Sequence, residues 1–324
     1  MFLAFKGMAM GMAEVVPGVS GGTIAFITGI YEELLHTIKE LTPAKLLIIK
    51  DKGFTDFWAS INGNFILFLL GGMALGLIAG VFTIAKLLSS YPILVWSFFF
   101  GLIIASVLYV GKQINKWRVI EVVLLIISAA VSYYITIAAP SEGPQELWFV
   151  FLSGFIAICA LMLPGVSGSF LLLLLGMYQY IVTDNVKTLL SDFNTDSLLV
   201  VAVFALGCLT GLLSFSRLLS WTFKKYKFPT LAVLTGFLLG SLNKVWPWKH
   251  IESIYVKNLG EIDEKVVVLT EKSVLPNHHD AFIREGANIV GYEATDNYLI
   301  GAITMMGIGF LMLWAMERFS QPKA

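Results

Sequence analysis

The chain has 324 residues, of which 57% are apolar, 13% aromatic and only 14% charged, and its mean hydropathy is +0.80. A soluble domain carries about 25% charged residues, so this composition excludes an ordinary water-soluble enzyme, a disordered chain and a collagen. With 22 basic residues against 22 acidic ones there is no net positive field for a polyanion, which removes nucleic acid as a partner and leaves the bilayer.

The first apolar segment spans residues 2–31 and is interrupted in its middle by Pro17, Gly18, Gly21 and Gly22. Proline removes a helix donor and glycine permits non-helical angles, so one straight rod is not expected. Residues 61–88, 93–110 and 119–139 follow, each close to the roughly 20 apolar residues that cross a ~30 Å hydrocarbon core. A second interrupted segment, 148–181, precedes three further candidate spans at 197–223, 229–246 and 298–315. The one long polar stretch, 247–297, contains EKVVVLTEKSVLP, which reads as a small hairpin within a solvated cap. His278, His279 and Asp280 are adjacent in that stretch, poor geometry for a single ion, so neither metal nor cofactor is expected. Cys159 and Cys208 lie in apolar runs and read as small core residues.

The two interrupted segments are copies. GMAEVVPGVSGGTIAFITGIY and ICALMLPGVSGSFLLLLLGMY align at a shift of 147, which takes Pro17 to Pro164, Ser20 to Ser167, Gly29 to Gly176 and Tyr31 to Tyr178. Further on, GLIAGVFTIAKLL from Gly76 resembles GCLTGLLSFSRLL from Gly207, which pairs Lys86 with Arg217. Tyr91-Pro92 with GLIIAS then matches Phe228-Pro229 with GFLLGS. A cleavable signal peptide would not recur at mid-chain, so the first segment reads as part of the mature protein.

Loop charge decides how the broken segments sit. If both are re-entrant, Lys6, the Lys39–Lys52 and Lys112–Arg118 loops, Lys224, Lys225, Lys227 and the C-terminal Arg318 and Lys323 share one side, as cytoplasmic loops require. Both termini are then cytoplasmic. The expected fold is an all-α polytopic membrane protein of two repeats, 1–139 and 148–317. Each repeat contributes one re-entrant helical hairpin (2–31 and 148–181) and three crossings, with 247–297 an extracytoplasmic loop. Three is odd, so the second repeat enters from the opposite face and the repeats are inverted, an arrangement typical of secondary transporters.

At each break a half-helix begins, with Ser20, Gly21, Gly22 and Thr23 in one copy and Ser167, Gly168 and Ser169 in the other. Helix N-termini offer unpaired N–H groups and a positive dipole end, which suit an anion and phosphate in particular. Lys86 and Arg217 are the intramembrane cations that could pair with it. Glu14, whose counterpart is Leu161, reads as a proton- or ion-coupling carboxylate, with a structural partner for the tip N–H groups as the alternative.

Those two motifs, GMAEVVPGVSGGTIAFITGIY and ALMLPGVSGSFLLLLLGMY, resemble the paired signatures of the PopT family of bacterial polyprenyl-phosphate transporters, formerly a family of unknown function. The resemblance covers almost the whole chain outside 247–297. It implies return of the lipid carrier undecaprenyl phosphate from the outer to the cytoplasmic leaflet of the bacterial inner membrane, for envelope polymer synthesis. That family more often shows Asp where Glu14 stands, a conservative departure. The competing readings are a carrier of small soluble anions and an undecaprenyl-pyrophosphate phosphatase. The phosphatases carry Arg after the motif serine and clustered glutamates, whereas here Gly21 and Gly168 follow the serines and Glu14 stands alone, so no enzyme is expected. The residues leave the oligomeric state open.

Overall fold

The computed structural model describes residues 2–15, 20–138, 143–186, 188–189, 194–257, 265–276, 280–285, 288–294 and 298–320. Inside lipid a backbone must satisfy its own polar groups, and helices do so within one segment. Among the described residues, four helices are long and apolar enough to cross a bilayer: α6 (Gly63–Ser90), α7 (Pro92–Lys112), α8 (Val119–Ile137) and α12 (Thr195–Lys225). Shorter apolar stretches accompany them: α1 (Phe2–Glu14), α9 (Leu147–Met162), α13 (Lys227–Ser241) and the Leu299–Ala315 part of α14 (Leu299–Ser320), where Ile300, Ile303 and Leu311 are exposed. Large apolar side chains such as Phe82, Val119, Ile126, Leu206 and Leu209 point outward, which water would penalise and acyl chains accept. The protein is a multi-pass helical membrane protein.

The remaining elements are short. They are α2 (Gly21–Ile27), α3 (Tyr31–Glu40), α4 (Leu46–Lys52), α5 (Phe54–Ser60), α10 (Gly168–Leu174) and the π-helical α11 (Gln179–Val186). The polar stretch forms two antiparallel hairpins, β1 (Lys249–Lys257) with β2 (Lys265–Ser273) and β3 (Asp280–Glu285) with β4 (Asn288–Ala294). KVVVLTEKS is therefore one strand paired with β1 and not a hairpin by itself. Asp280 opens β3, while His278 and His279 lie outside the described residues. The span expected over 229–246 also ends early: α13 stops at Ser241 because the polar side chains of Asn243 and Lys244 bond to neighbouring segments instead of continuing an apolar face.

Among the described residues the most extensive helix pairs are α1 on α6, α9 on α12, α7 on α14 and α8 on α13. Exchanging the halves converts the first pair into the second and the third into the fourth. Glycines set the close pairs. Gly72 and Gly76 lie so near the Ala4 and Met8 carbonyls that no Cβ fits, and Gly207 and Gly211 do the same against Phe151 and Phe155. Gly7 against Leu69 has its counterpart in Gly154 against Phe204.

These contacts fix the register of the second helix of each half, and it differs from the one read in the sequence. Ala4 and Met8 go to Phe151 and Phe155 at the expected shift of 147, but Gly72 and Gly76 go to Gly207 and Gly211, a shift of 135. Tyr91 and Tyr226 confirm it, following α6 and α12 with matching backbone angles, φ −140 and ψ 56 against φ −134 and ψ 51. Lys86 thus corresponds to Trp221, and Arg217 to Phe82, one helical turn from the pairing of the two cations. The cause is the spacing itself: glycines at every fourth position superpose on glycines after a slip of one turn.

Candidate functional site: two broken helices meeting at their breaks

In the first copy α1 ends at Glu14, and Pro17 and Gly18 lie outside the described residues. The chain resumes at Ser20, whose extended backbone (φ −114, ψ 140) makes it the N-cap of α2, accepting from the Gly22 N–H at 3.1 Å. All seven residues of α2 are buried. Gly29 then turns the chain at φ +73, and α3 begins at Tyr31. In the second copy α9 ends at Met162, Gly165 takes φ +86 in the break, and Ser167 caps α10 by accepting from the Phe170 N–H at 3.4 Å. Gly176 repeats the turn at φ +69, and α11 leaves α10 at 108°. Each interrupted segment therefore has two bends where one was expected. The second falls at a glycine because only a residue without Cβ takes that φ cheaply.

Each short helix folds back on its own long one. Gly21 lies against Met10 and Glu14, and Gly168 lies against Ala157 and Leu161, the same partners at a shift of 147. The two breaks then meet. Ser20 Oγ donates to the Leu161 carbonyl at 3.0 Å, the Gly165 N–H donates to Thr23 Oγ1 at 2.9 Å, and the buried Tyr31 hydroxyl donates to the Met162 carbonyl at 2.6 Å. Backbone groups freed by one break are thereby satisfied by side chains from the other, as non-helical backbone at membrane depth requires. On the far side of the second tip the Ser167 and Ser169 hydroxyls share a hydrogen bond of 3.0 Å.

Glu14 Oε1 accepts from the Gly21 N–H at 2.6 Å. A carboxylate thus occupies the first N–H of the first half-helix, whereas apolar Leu161 stands in that place in the second copy. Glu14, Gly21, Gly22 and Leu161 also line a cavity of about 250 Å³ whose other side chains are apolar except for Tyr31 and Thr37. An apolar hollow therefore adjoins the polar tips.

The structure brings Ser20, Gly22 and Thr23 against Leu161, Met162 and Gly165 of the second break, with Glu14 on Gly21, while Ser167, Gly168 and Ser169 follow in the second tip and bond within it. It does not bring Lys86 or Arg217 there: both are exposed on the outer faces of α6 and α12. A cation near the second tip is Lys244, whose ammonium lies 4.5 Å from the centre of the Phe170 ring in the first turn of α10. Sequence reading missed it by placing it inside a span, although the polar pair Asn243-Lys244 at the end of an apolar run marks a helix exit. It missed Tyr31 as well, although the repetition of that tyrosine at Tyr178 was visible. Among the described residues no three His, Cys, Asp or Glu side chains gather as metal ligands.

Broken helices that fold back and meet within a multi-pass bundle are the architecture found in membrane transporters of the discontinuous-helix class. The family model described as VCA0040-like, undecaprenyl phosphate translocase-like, matches residues 10–263. The Polyprenyl-phosphate transporter of Vibrio cholerae serotype O1 is 46% identical over 260 residues, covering 79% of this chain and 80% of that one. The Polyprenyl-phosphate transporter of Staphylococcus aureus is 31% identical over 259 residues, 75% of this chain and 84% of its own. No solved structure matches the chain significantly. The chain belongs to the undecaprenyl phosphate translocase-like family.

Proposed function

We propose that this protein returns undecaprenyl phosphate from the outer to the cytoplasmic leaflet of a bacterial inner membrane, with both termini cytoplasmic and its two repeats inverted. The observation that carries the reading is the meeting of the two breaks beside an apolar cavity. Polar groups and greasy space adjoin there, which suits a lipid with an anionic head better than a small soluble anion.

The head group is received by the N–H groups and hydroxyls at Ser20, Gly21, Gly22, Thr23, Ser167, Gly168 and Ser169. The bonds that hold the tips together are ones a phosphate oxygen can replace, because it accepts from the same hydroxyl and amide donors more strongly than a carbonyl does. The prenyl chain stays in the bilayer and the apolar cavity. Lys86 and Arg217, on outward faces, serve the approach of the head group along the interface. Glu14 supplies coupling: phosphate taking the Gly21 N–H displaces its carboxylate, which is then left to bind a proton or a cation. The chemistry is movement and not bond cleavage.

The test is reconstitution. Vesicles holding undecaprenyl phosphate and the protein are given an impermeant phosphatase, and the fraction of head groups reached is followed in time. Exposure of the inner-leaflet pool faster than in protein-free vesicles, with no phosphate released by the protein alone, is the expected result. Equal rates in the two preparations refute the proposal.

A further inference from the structure

Beyond the half-helix tips, the end of α13 and the first β-hairpin carry a cluster of ionisable groups to which the transport reading gives no role. Lys244 Nζ pairs with Glu271 Oε1 of β2 at 2.9 Å and also lies over the Phe170 ring, whose own N–H bonds Ser167. Its side chain is only 16% exposed, so the ammonium is confined between the hairpin and the second tip. The end of α13 is itself fixed on that tip, since Gly165 packs against Phe237, Leu238 and Ser241.

The hairpin does not need the Lys244–Glu271 pair to stay docked. Lys249 Nζ donates to the Asn243 carbonyl at 2.6 Å and to Ser273 Oγ at 3.1 Å, and Ser273 Oγ donates to Asn243 Oδ1 at 2.8 Å. Asn243 in turn donates to Thr136 on α8 at 2.7 Å, and Trp246 Nε1 donates to the Val274 carbonyl at 2.8 Å. These bonds hold Glu271 in place while leaving its pairing with Lys244 exchangeable.

We propose that Lys244 is the cationic ligand of the second tip, kept on Glu271 until the phosphate monoester of the lipid displaces that carboxylate. The exchange is favourable by charge: a phosphate monoester carries about −1.5 to −2 near neutral pH, against −1 for the glutamate it replaces. Lys244 also gives the second tip a charged element where the first has Glu14 and the repeat offers only Leu161. This assignment rests on the head-group site proposed above.

Binding of undecaprenyl phosphate and of the neutral prenol to the full-length protein in nanodiscs tests it. Wild-type protein binding both lipids alike would sink the transport reading itself, before any variant is compared. Given wild-type preference for the phosphate, Lys244→Gln is expected to weaken phosphate binding about tenfold or more, with prenol binding unchanged. Lys244→Arg is expected to keep binding within about threefold, and Glu271→Gln, which leaves the ammonium uncontested, to tighten it. The exchanged pair Lys244→Glu with Glu271→Lys separates a ligand from a structural bridge. It restores a bridge but leaves a carboxylate at the tip, so its binding stays weak. Unchanged binding in Lys244→Gln, equal losses for both lipids, or recovery in the exchanged pair overturns the inference. Glu271→Gln leaves Lys244 in place, and although it also takes a carboxylate 3.8 Å from Lys249, the Lys249 bonds to Asn243 and Ser273 remain, so this variant stays informative if the Lys244 variants fail to fold.

Discussion

Thr23 probes the contact between the tips most directly. Its hydroxyl accepts the Gly165 N–H at 2.9 Å, both groups are buried, and Gly165 sits at φ +86. Thr23→Val keeps the shape and the β-branch but removes the acceptor, leaving a buried N–H unsatisfied at a cost of about 1–3 kcal/mol. A melting temperature moves by about 2 °C per kcal/mol in a chain of this size, so a fall of roughly 2–6 °C is expected. Thr23→Ser keeps the oxygen and is expected to recover most of it. Cys159 and Cys208 are both partly buried between α9 and α12, so a thiol-reactive dye reads unfolding in detergent without an engineered label. Equal melting of the valine variant and the wild type would mean that the Thr23 hydroxyl does not hold the Gly165 N–H, leaving the Ser20 and Tyr31 bonds to join the two breaks.

Glu14→Gln retains an acceptor for the Gly21 N–H, so the fold is expected to survive while any dependence of transport on a proton gradient disappears; Glu14→Ala loses both, and comparing melting with vesicle transport at two pH values separates the roles. Gly76→Leu or Gly211→Leu forces a side chain into the Met8 or Phe155 carbonyl and is expected to abolish the monodisperse peak in size-exclusion chromatography, whereas Gly71→Ala, with open space at its Cβ, leaves it intact. Lys249 has its ammonium pushed down to about 8 by burial, with Glu271 opposing and Lys244 adding. Below that value folded and unfolded chains are both protonated. From there to the ordinary lysine value near 10.4 the unfolded chain holds more protons, so docking of the hairpin gains up to about 3 kcal/mol as pH rises. Emission from Trp246 and Trp248 during denaturant unfolding at pH 8 and pH 10 follows it, and Lys249→Met is expected to flatten the difference.

The broken segments were readable because proline and glycine act locally and the motif occurs twice, so Ser20 and Ser167 could be placed at half-helix starts from residue types alone. The bends at Gly29 and Gly176 carried the same signal, a repeated glycine, but the proline nearby drew the single break to itself. Register between helices is a different kind of information. In α6 and α12 a slip of one turn exchanges glycine for glycine, and only contacts with α1 and α9 choose between the alternatives; that is why Lys86 and Arg217 looked equivalent and are not. Lys244 was hidden for a third reason. Its role depends on where a hairpin nearly thirty residues later returns to the membrane surface, and no periodicity in the chain encodes that return.

The pairing of α7 with α14 and of α8 with α13 has a consequence for how such a protein can be made. Neither half owns a complete wall: each lends two rods to the other and borrows two back. A polypeptide severed between α8 and α9 would yield two fragments that are incomplete alone and complementary together. Membrane insertion of the first half must therefore be followed by a wait, its unmatched surfaces held in lipid until the second half arrives.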